Sequence, residues 1–219
     1  MCFSAQASFI GAGIIGAIGI ASVIKAKKPL RLLAVTPFLF AIQQALEGMV
    51  WLTLDSGDTS SFHKVGIYGF VIFAYIVWPL WVPFVLYKTE ESKERKKFLG
   101  INIVIGCFVA LISALSLIFL GQKIELEGHH IHYTFALDPL SYIPNSFLLF
   151  IQYLIFYLYL LPTVGSFFIS SLRYARILGV VLIVSWLVSA VVYSLAFASV
   201  WCFFGAFGSI IIYYMVKAS

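Results

Sequence analysis

Apolar residues along this chain fall into seven long runs separated by short polar segments. The runs cover residues 8–24, 32–54, 65–87, 98–120, 146–168, 177–197 and 199–216. Each run is near the roughly 20 residues that a helix needs to cross a hydrocarbon core about 30 Å thick. The runs are continuous and do not alternate with a period of two, which favours spanning helices over membrane-spanning strands. The pattern predicts an all-α membrane protein with a bundle of seven transmembrane helices.

Composition excludes the class of water-soluble globular proteins. Hydrophobic residues make up 62% of the chain and charged residues 11%, and the mean hydropathy is +1.03. Such a chain has far too much apolar surface for a soluble domain. No linker or second domain is visible, so we expect residues 1–219 to form one multi-pass domain in the cell membrane, with membrane lipids as its surroundings.

The distribution of Lys and Arg predicts the orientation of the helices. With the N-terminus outside, every basic residue except Lys64 and Lys123, among 14 in total, falls in a cytoplasmic segment or at a cytoplasmic helix end. Basic residues are retained in the cytoplasm during insertion, so we expect the N-terminus outside and the C-terminus in the cytoplasm. The net charge of +5 then reflects topology and anionic headgroups, and we expect no nucleic-acid partner.

Two polar connections carry local structural signals. In the outer segment 121–145, the stretches "KIELE" and "HHIHYTF" flank a Gly and partly alternate, which predicts a short β-hairpin. The cytoplasmic stretch "KTEESKERKK" predicts a solvated helix extension or loop. Trp78 and Trp81, next to Pro79 and Pro83, are typical of the membrane interface at the end of the third helix.

Reactive side chains concentrate in the half of the bundle that we expect to face outward. All four histidines fall in outer loops: His63, His129, His130 and His132. Glu47 is the only acidic residue inside a predicted span. An ionisable group there costs a few kcal/mol and usually faces a partner or a wet cavity.

A polar pocket is predicted around Glu47, opening outward between the second and seventh helices. Polar or aromatic residues on inward-facing stripes are the candidates to line it: Gln43, Gln44, Trp51, Gln152, Tyr193 and Ser199. Gln43, Glu47 and Trp51 recur every four residues and so share one helix face. The alternative for the Ser and Gln residues is plain hydrogen bonding between helices.

Five stretches of the chain resemble one known family. They are "MCFSAQASF", "QQALEGMVW", "WPLWVP", "HHIHY" and "SVWCFF". The chain is similar to an uncharacterised family of small prokaryotic integral membrane proteins that begin Met-Cys-Phe-Ser-Ala. The resemblance implies a seven-helix protein of a prokaryotic inner membrane but no activity. The positions that it singles out are Cys2, Gln44, Glu47, Trp51, His132 and Cys202.

A metal site is one interpretation of the thiols, imidazoles and carboxylate. The candidate ligands of zinc or copper are Cys2, Glu47, His130, His132 and Cys202, since both metals take thiolate and imidazole ligands. Glu47 and His132 would then be the catalytic residues. A disulfide between Cys2 and Cys202 is the first alternative, and independent packing roles for the thiols are the second.

Two function classes remain open from the sequence. The first is a metal-dependent membrane enzyme that acts at the outer leaflet, with Glu47 near the chemistry. The second is a transporter, channel or sensor for an unknown small molecule or ion, with Glu47 as a protonatable binding group.

Overall fold

The computed structural model describes residues 4–54, 60–127, 130–135, 145–193 and 196–218. Its α-helices within these ranges are α1 (Ala5–Lys25), α2 (Arg31–Leu54), α3 (Ser61–Ile72), α4 (Trp78–Thr89), α5 (Lys93–Phe119), α6 (Asn145–Leu160), α7 (Ser166–Ile169), α8 (Ala175–Val192) and α9 (Phe197–Ala218). Two π-helices, Phe73–Val77 and Leu161–Gly165, join α3 to α4 and α6 to α7.

Seven helical segments in the described ranges are long and apolar enough to cross a membrane. They are Ala5–Lys25, Lys28–Leu54, Ser61–Thr89, Lys93–Phe119, Phe150–Ile169, Ala175–Val192 and Phe197–Ala218. The seven predicted helices are therefore confirmed as membrane-competent segments, and their bounds agree with the hydropathy runs to within a few residues. Two ends differ. α5 starts at Lys93 because the Ser92 side chain caps it, and α8 stops at Val192, before the predicted end at 197.

A two-stranded antiparallel sheet covers one end of the bundle. β1 (Gln122–Glu127) pairs with β2 (His130–Phe135). Ile131 and Tyr133 are buried against Trp51, and the Tyr133 ring stacks on Phe70 with centroids 4.7 Å apart. Since Trp51 is near the C-terminal end of α2, the sheet lies over the end of the bundle at which α2 finishes.

The first π-helix leaves a backbone carbonyl that another helix satisfies. The Trp78 N–H bonds to the Phe73 carbonyl, one residue further back than in an α-helix. The Ala74 carbonyl would then need the N–H of Pro79, which has none. The Tyr159 hydroxyl donates to that carbonyl at 2.5 Å. A side chain of α6 thus stabilises the distortion in the third segment.

α5 packs tightly against both π-helices. The Asn102 side chain donates to the Leu161 carbonyl at 3.0 Å and to the Ser166 hydroxyl at 2.9 Å. One turn later, Gly106 lies so close to the start of α4, directly after the other π-helix, that a Cβ there would be 2.0 Å from the Pro79 carbonyl oxygen. Only glycine fits at this contact.

The charge of the stretch "KTEESKERKK" predicts a solvated segment, but part of the stretch is buried. Glu90 is only 2% exposed. Its carboxylate accepts hydrogen bonds from the Ser171 N–H at 2.7 Å, the Ser171 hydroxyl at 2.8 Å and the Ser92 N–H at 3.1 Å. Arg95 donates to the Ile169 carbonyl at 3.2 Å. These bonds tie the connection after α4 to the connection after α7.

Candidate functional site

Glu47 is fully buried in α2 and has both carboxylate oxygens hydrogen-bonded. Its Oε1 accepts from the Ser199 hydroxyl of α9. Its Oε2 accepts from the Gln44 amide at 3.0 Å, three residues earlier on α2. Bringing a carboxylate into a membrane span costs a few kcal/mol, and these donors offset part of that cost. Glu47 therefore connects α2 to the start of α9.

A second short network lies one turn away on α2 and α9 and also includes Trp78 of α4. The Trp78 indole N–H donates to the Gln43 amide oxygen at 2.7 Å, and the Gln43 amide N–H donates to the Cys202 sulfur at 3.1 Å. Because Gln43 and Glu47 are four residues apart and Ser199 and Cys202 three apart, the two networks share one interface. We call Gln43, Gln44, Glu47, Ser199 and Cys202 the polar core.

Small residues allow α9 to approach α2 closely enough for these contacts. Gly205, one turn after Cys202, lies against the Phe40 ring, and a Cβ at this position would be 3.2 Å from it. Ser199 is also fully buried. Close approach of backbones at small residues is the usual basis of helix packing in membranes.

A cavity of about 60 Å³ adjoins the polar core inside the bundle. Its lining comes from five of the seven membrane-competent segments: Thr36, Phe40, Trp78, Val82, Tyr159, Thr163, Phe167, Leu178, Leu182, Trp201, Cys202, Gly205 and Ile212. The volume exceeds the 10–15 Å³ or so that one water needs. All of these side chains are neutral or apolar, and Trp78 and Cys202 belong both to the cavity wall and to the networks around Gln43.

A smaller cavity of about 10 Å³ continues from the first. The two share Thr36, Val82, Phe167 and Ile212. On α2 the lining residue Thr36 precedes Gln43, and on α9 the lining residue Ile212 follows Cys202. The cavities therefore lie on the side of the polar core that is opposite to the β-sheet.

The six residues predicted to line a pocket have different surroundings. Gln43, Gln44 and Ser199 belong to the polar core. Trp51 is packed beneath the sheet, and its indole N–H has no acceptor within the described part of the chain. The other two, Gln152 and Tyr193, lie elsewhere: Gln152 is exposed on α6, and Tyr193 is half-buried where α8 ends. None of the six lines the 60 Å³ cavity, which lies beyond them.

β2 carries His132 on the strand face opposite to Ile131 and Tyr133. Successive side chains of a strand point to opposite faces, and Ile131 and Tyr133 face the bundle. His132 therefore faces away from the polar core, and its Nδ1 has no hydrogen-bond partner among the residues that the structure describes. The pairing of Glu47 with His132 as catalytic residues stays a prediction.

The predicted metal ligands are brought together only in part. Cys202 forms no disulfide with any of the described residues and lies in the polar core with Glu47. Cys2 and the side chain of His130 lie outside the described part of the structure. In the part that is described, no three His, Cys, Asp or Glu side chains are grouped to hold a metal ion. A zinc or copper site that includes Cys2 stays a prediction, as does the Cys2–Cys202 disulfide.

Sequence reasoning missed the role of Trp78. Its ring points into the bundle, since Trp78 is only 5% exposed and bonds to Gln43, whereas its depth in the membrane stays a prediction. Trp81 likewise points inward and donates to the Thr36 hydroxyl at 3.0 Å. The π-helix before Trp78 turns these rings into the bundle, and no hydropathy pattern predicts such a distortion.

The fold and this site define a polytopic helical protein with a polar core and an adjoining neutral cavity. A family model matches residues 1–219, that of the family of unknown function DUF6629. The chain belongs to this family, and the resemblance to an uncharacterised family is confirmed. No curated protein and no solved structure matches the chain.

Proposed function

We propose that this chain is a multi-pass protein of the cell membrane with its N-terminus outside and its C-terminus in the cytoplasm. Seven membrane-competent segments and the near-complete separation of Lys and Arg to alternate connections support this orientation. The β-sheet then covers the outer end of the bundle, and the two cavities lie between the polar core and the cytoplasmic side.

The proposed function is binding of a small, neutral, largely apolar molecule in the 60 Å³ cavity. The observation that carries this proposal is the position of the cavity: it adjoins the polar core and shares Trp78 and Cys202 with it. Mostly apolar cavities with a few convergent polar groups are typical ligand sites. Because the lining carries no charged side chain, shape and hydrogen bonding would select the ligand.

Three hydroxyls among the residues that line the cavity have hydrogen-bonding capacity left: those of Thr36, Tyr159 and Thr163. The Thr36 hydroxyl accepts from Trp81 and can still donate one bond. The Thr163 hydroxyl donates to the Tyr159 carbonyl at 2.6 Å and can still accept. The Tyr159 hydroxyl donates to the Ala74 carbonyl and can likewise still accept. The cavity thus offers a few hydrogen-bonding hydroxyls among apolar walls, which suits a largely apolar molecule with a polar group.

Transport of this molecule is the second candidate. The two cavities follow one another along α2, α4 and α9 toward the cytoplasmic side. Ile131 and Tyr133 close the opposite end of the bundle. A row of cavities that is closed at one end resembles one state of an alternating-access protein.

Cavity filling tests the proposed binding. Leu182 lines the cavity, whereas Val184, on the same helix, is 53% exposed. Purified wild-type protein, Leu182→Trp and Val184→Trp would be extracted with organic solvent, and the small molecules that co-purify would be measured per chain by mass spectrometry. We expect Leu182→Trp to lower the bound amount at least about tenfold, which corresponds to about 1.4 kcal/mol, and Val184→Trp to leave it unchanged. Equal amounts in all three proteins, or none in the wild type, would contradict the proposal.

A further inference from the structure

Aromatic rings from three helices meet at one wall of the cavity. Phe156 of α6 lies 5.3 Å from Trp186 of α8 and 4.9 Å from Phe197 of α9, measured between ring centroids. Tyr159 of α6 lies 5.6 Å from Trp201 of α9 in an edge-to-face arrangement. We call these five rings the aromatic screen.

The aromatic screen fills a space between helices that do not pack closely there. Over its described length, α6 packs along α5 but meets α8 and α9 mainly through these rings. Tyr159 and Trp201 also line the cavity. The cavity is therefore separated from the bundle surface by side chains rather than by helix backbones, and side chains rearrange far faster than helices.

Of the two rings of the screen that line the cavity, Trp201 has the longer hydrogen bond. Its indole N–H donates to the Leu182 carbonyl at 3.3 Å, beyond the usual range of 2.7–3.2 Å or so for such bonds. The Tyr159 hydroxyl is held at 2.5 Å by the Ala74 carbonyl. Rotation of Trp201 would open the cavity while Tyr159 keeps its place.

The outer side of the screen faces lipid in the proposed orientation. Phe156 lies roughly 16 Å along α6 from Asn145, near the middle of a hydrocarbon core about 30 Å thick. Tyr157, beside Phe156, is 57% exposed. Molecules that reach this surface come from the bilayer and not from water.

We infer that the cavity is filled from the membrane through a portal between α6 and the α8–α9 pair, and that its ligand is an uncharged, ring-bearing molecule dissolved in lipid. The portal sits at membrane depth, which excludes charged molecules from this route. Phe40 and Trp78, which stack on each other with ring centroids 3.9 Å apart, both line the cavity, and a further aromatic ring packs favourably against such a pair in an offset or edge-to-face arrangement. The inference rests on the proposed binding function and adds the ligand class and its route.

Photolabelling in proteoliposomes tests the portal. The probe is an uncharged phenyl trifluoromethyl diazirine, whose photoproduct inserts into nearby side chains, and the comparison probe is the same ring carrying a carboxylate. Adducts would be mapped by peptide mass spectrometry. We expect the neutral probe to label the cavity residues Leu178 and Ile212 above Leu99 and Phe70, which are as deeply buried but lie outside the cavity lining. The carboxylate probe should not label the cavity.

Variants of Trp201 identify the route. Trp201→Ala should raise neutral labelling of Leu178 several-fold, and Trp201→Phe, which keeps a ring but loses the bond to Leu182, should raise it less. Phe207→Ala, an exposed position on the same helix, should have no effect. Size-exclusion profiles would show that each variant is folded.

The results of these labelling experiments distinguish a failure of the proposed portal from a failure of the proposed binding. Equal cavity labelling by both probes, unchanged in the Trp201 variants, would show entry from water and overturn the portal while the proposed binding stands. Cavity labelling no higher than that of Leu99 in every variant would overturn both.

Discussion

Two regions of this protein bury polar groups at the contacts between helices, but they do so in opposite ways. One is the α5 junction, formed by Glu90, Asn102 and Gly106 with their partners. The other is the polar core around Glu47. Each contains a buried carboxylate, and each joins helices that are distant in sequence.

The α5 junction is saturated and tightly packed. The Glu90 carboxylate accepts four hydrogen bonds, from the N–H groups of Glu91, Ser92 and Ser171 and from the Ser171 hydroxyl. At Gly106 the helix backbones are in direct contact. These hydrogen bonds and this close contact stabilise the packing of the helices.

The polar core has fewer hydrogen bonds and has space beside it. Glu47 accepts two, and Cys202 forms part of a cavity wall. The difference shows that burial of a carboxylate does not by itself indicate a functional site. Adjoining volume and unused hydrogen-bonding capacity are the better indicators.

The largest expected effect is that of Gly106→Ala on the α5 junction. The added methyl group would lie 2.0 Å from the Pro79 carbonyl oxygen, so α5 must move away from the start of α4. We expect a loss of about 3 kcal/mol in the free energy of unfolding, at the upper end for overpacking, measured by denaturant titration in detergent micelles. Gly100→Ala on the same helix is the control, because its Cβ would be 4.0 Å from the Tyr87 ring. Equal stability of the two variants would show that the junction is not tight.

A smaller loss in the free energy of unfolding is expected when Glu90 is replaced by an uncharged residue. Burial alone would raise the pKa of Glu90, but hydrogen bonds from the backbone and side chain of Ser171 and from the Ser92 N–H, with the nearby Arg95, hold it below the ordinary value of 4.5. The lowered pKa in the folded state stabilises the protein above pH 4.5, and this contribution is lost as the pH falls through the folded-state pKa. Glu90→Gln should therefore cost about 1–3 kcal/mol near pH 7 and flatten the dependence of stability on pH below 4.5.

The control for this change is Glu91→Gln at the exposed neighbouring position. Unfolding would be followed from pH 7 down to pH 3 for both variants and the wild type. A Glu91→Gln profile that matched that of Glu90→Gln would assign the pH dependence to general surface charge.

The sequence predicts the seven helices well because their signal is local: run length and hydropathy alone specify a membrane-competent helix. The two π-helices are missed because Pro79 and Pro162 could equally indicate kinks or helix ends. Glu90 was predicted to be solvated because its neighbours are charged, whereas its burial depends on Ser171, which is far away in the chain.

In the candidate site, too, local sequence predicts some features, whereas others depend on contacts between residues that are far apart in the chain. The side chains of the polar core could be selected because a carboxylate and two amides inside an apolar run are rare, and their spacing places them on neighbouring faces of α2. The cavity could not be predicted, since it results from imperfect filling between Thr36, Tyr159, Trp201 and other side chains of separate helices. The face of β2 that carries His132 depends on strand register, which the sequence does not specify.

The smallest effect on stability is expected for Glu47→Gln in the polar core. The amide keeps the size of the side chain and can still accept one hydrogen bond, so we expect a change of less than about 1 kcal/mol in the free energy of unfolding. The bond from Ser199 to Glu47 fixes α9 one turn before Cys202, and weakening it should displace the Cys202 wall of the cavity. We therefore expect the amount of co-purified ligand to fall while stability is nearly retained, the reverse of Glu90→Gln. A Glu47→Gln protein that loses as much stability as Glu90→Gln and keeps its ligand would make Glu47 a structural residue and remove the contrast between the two regions.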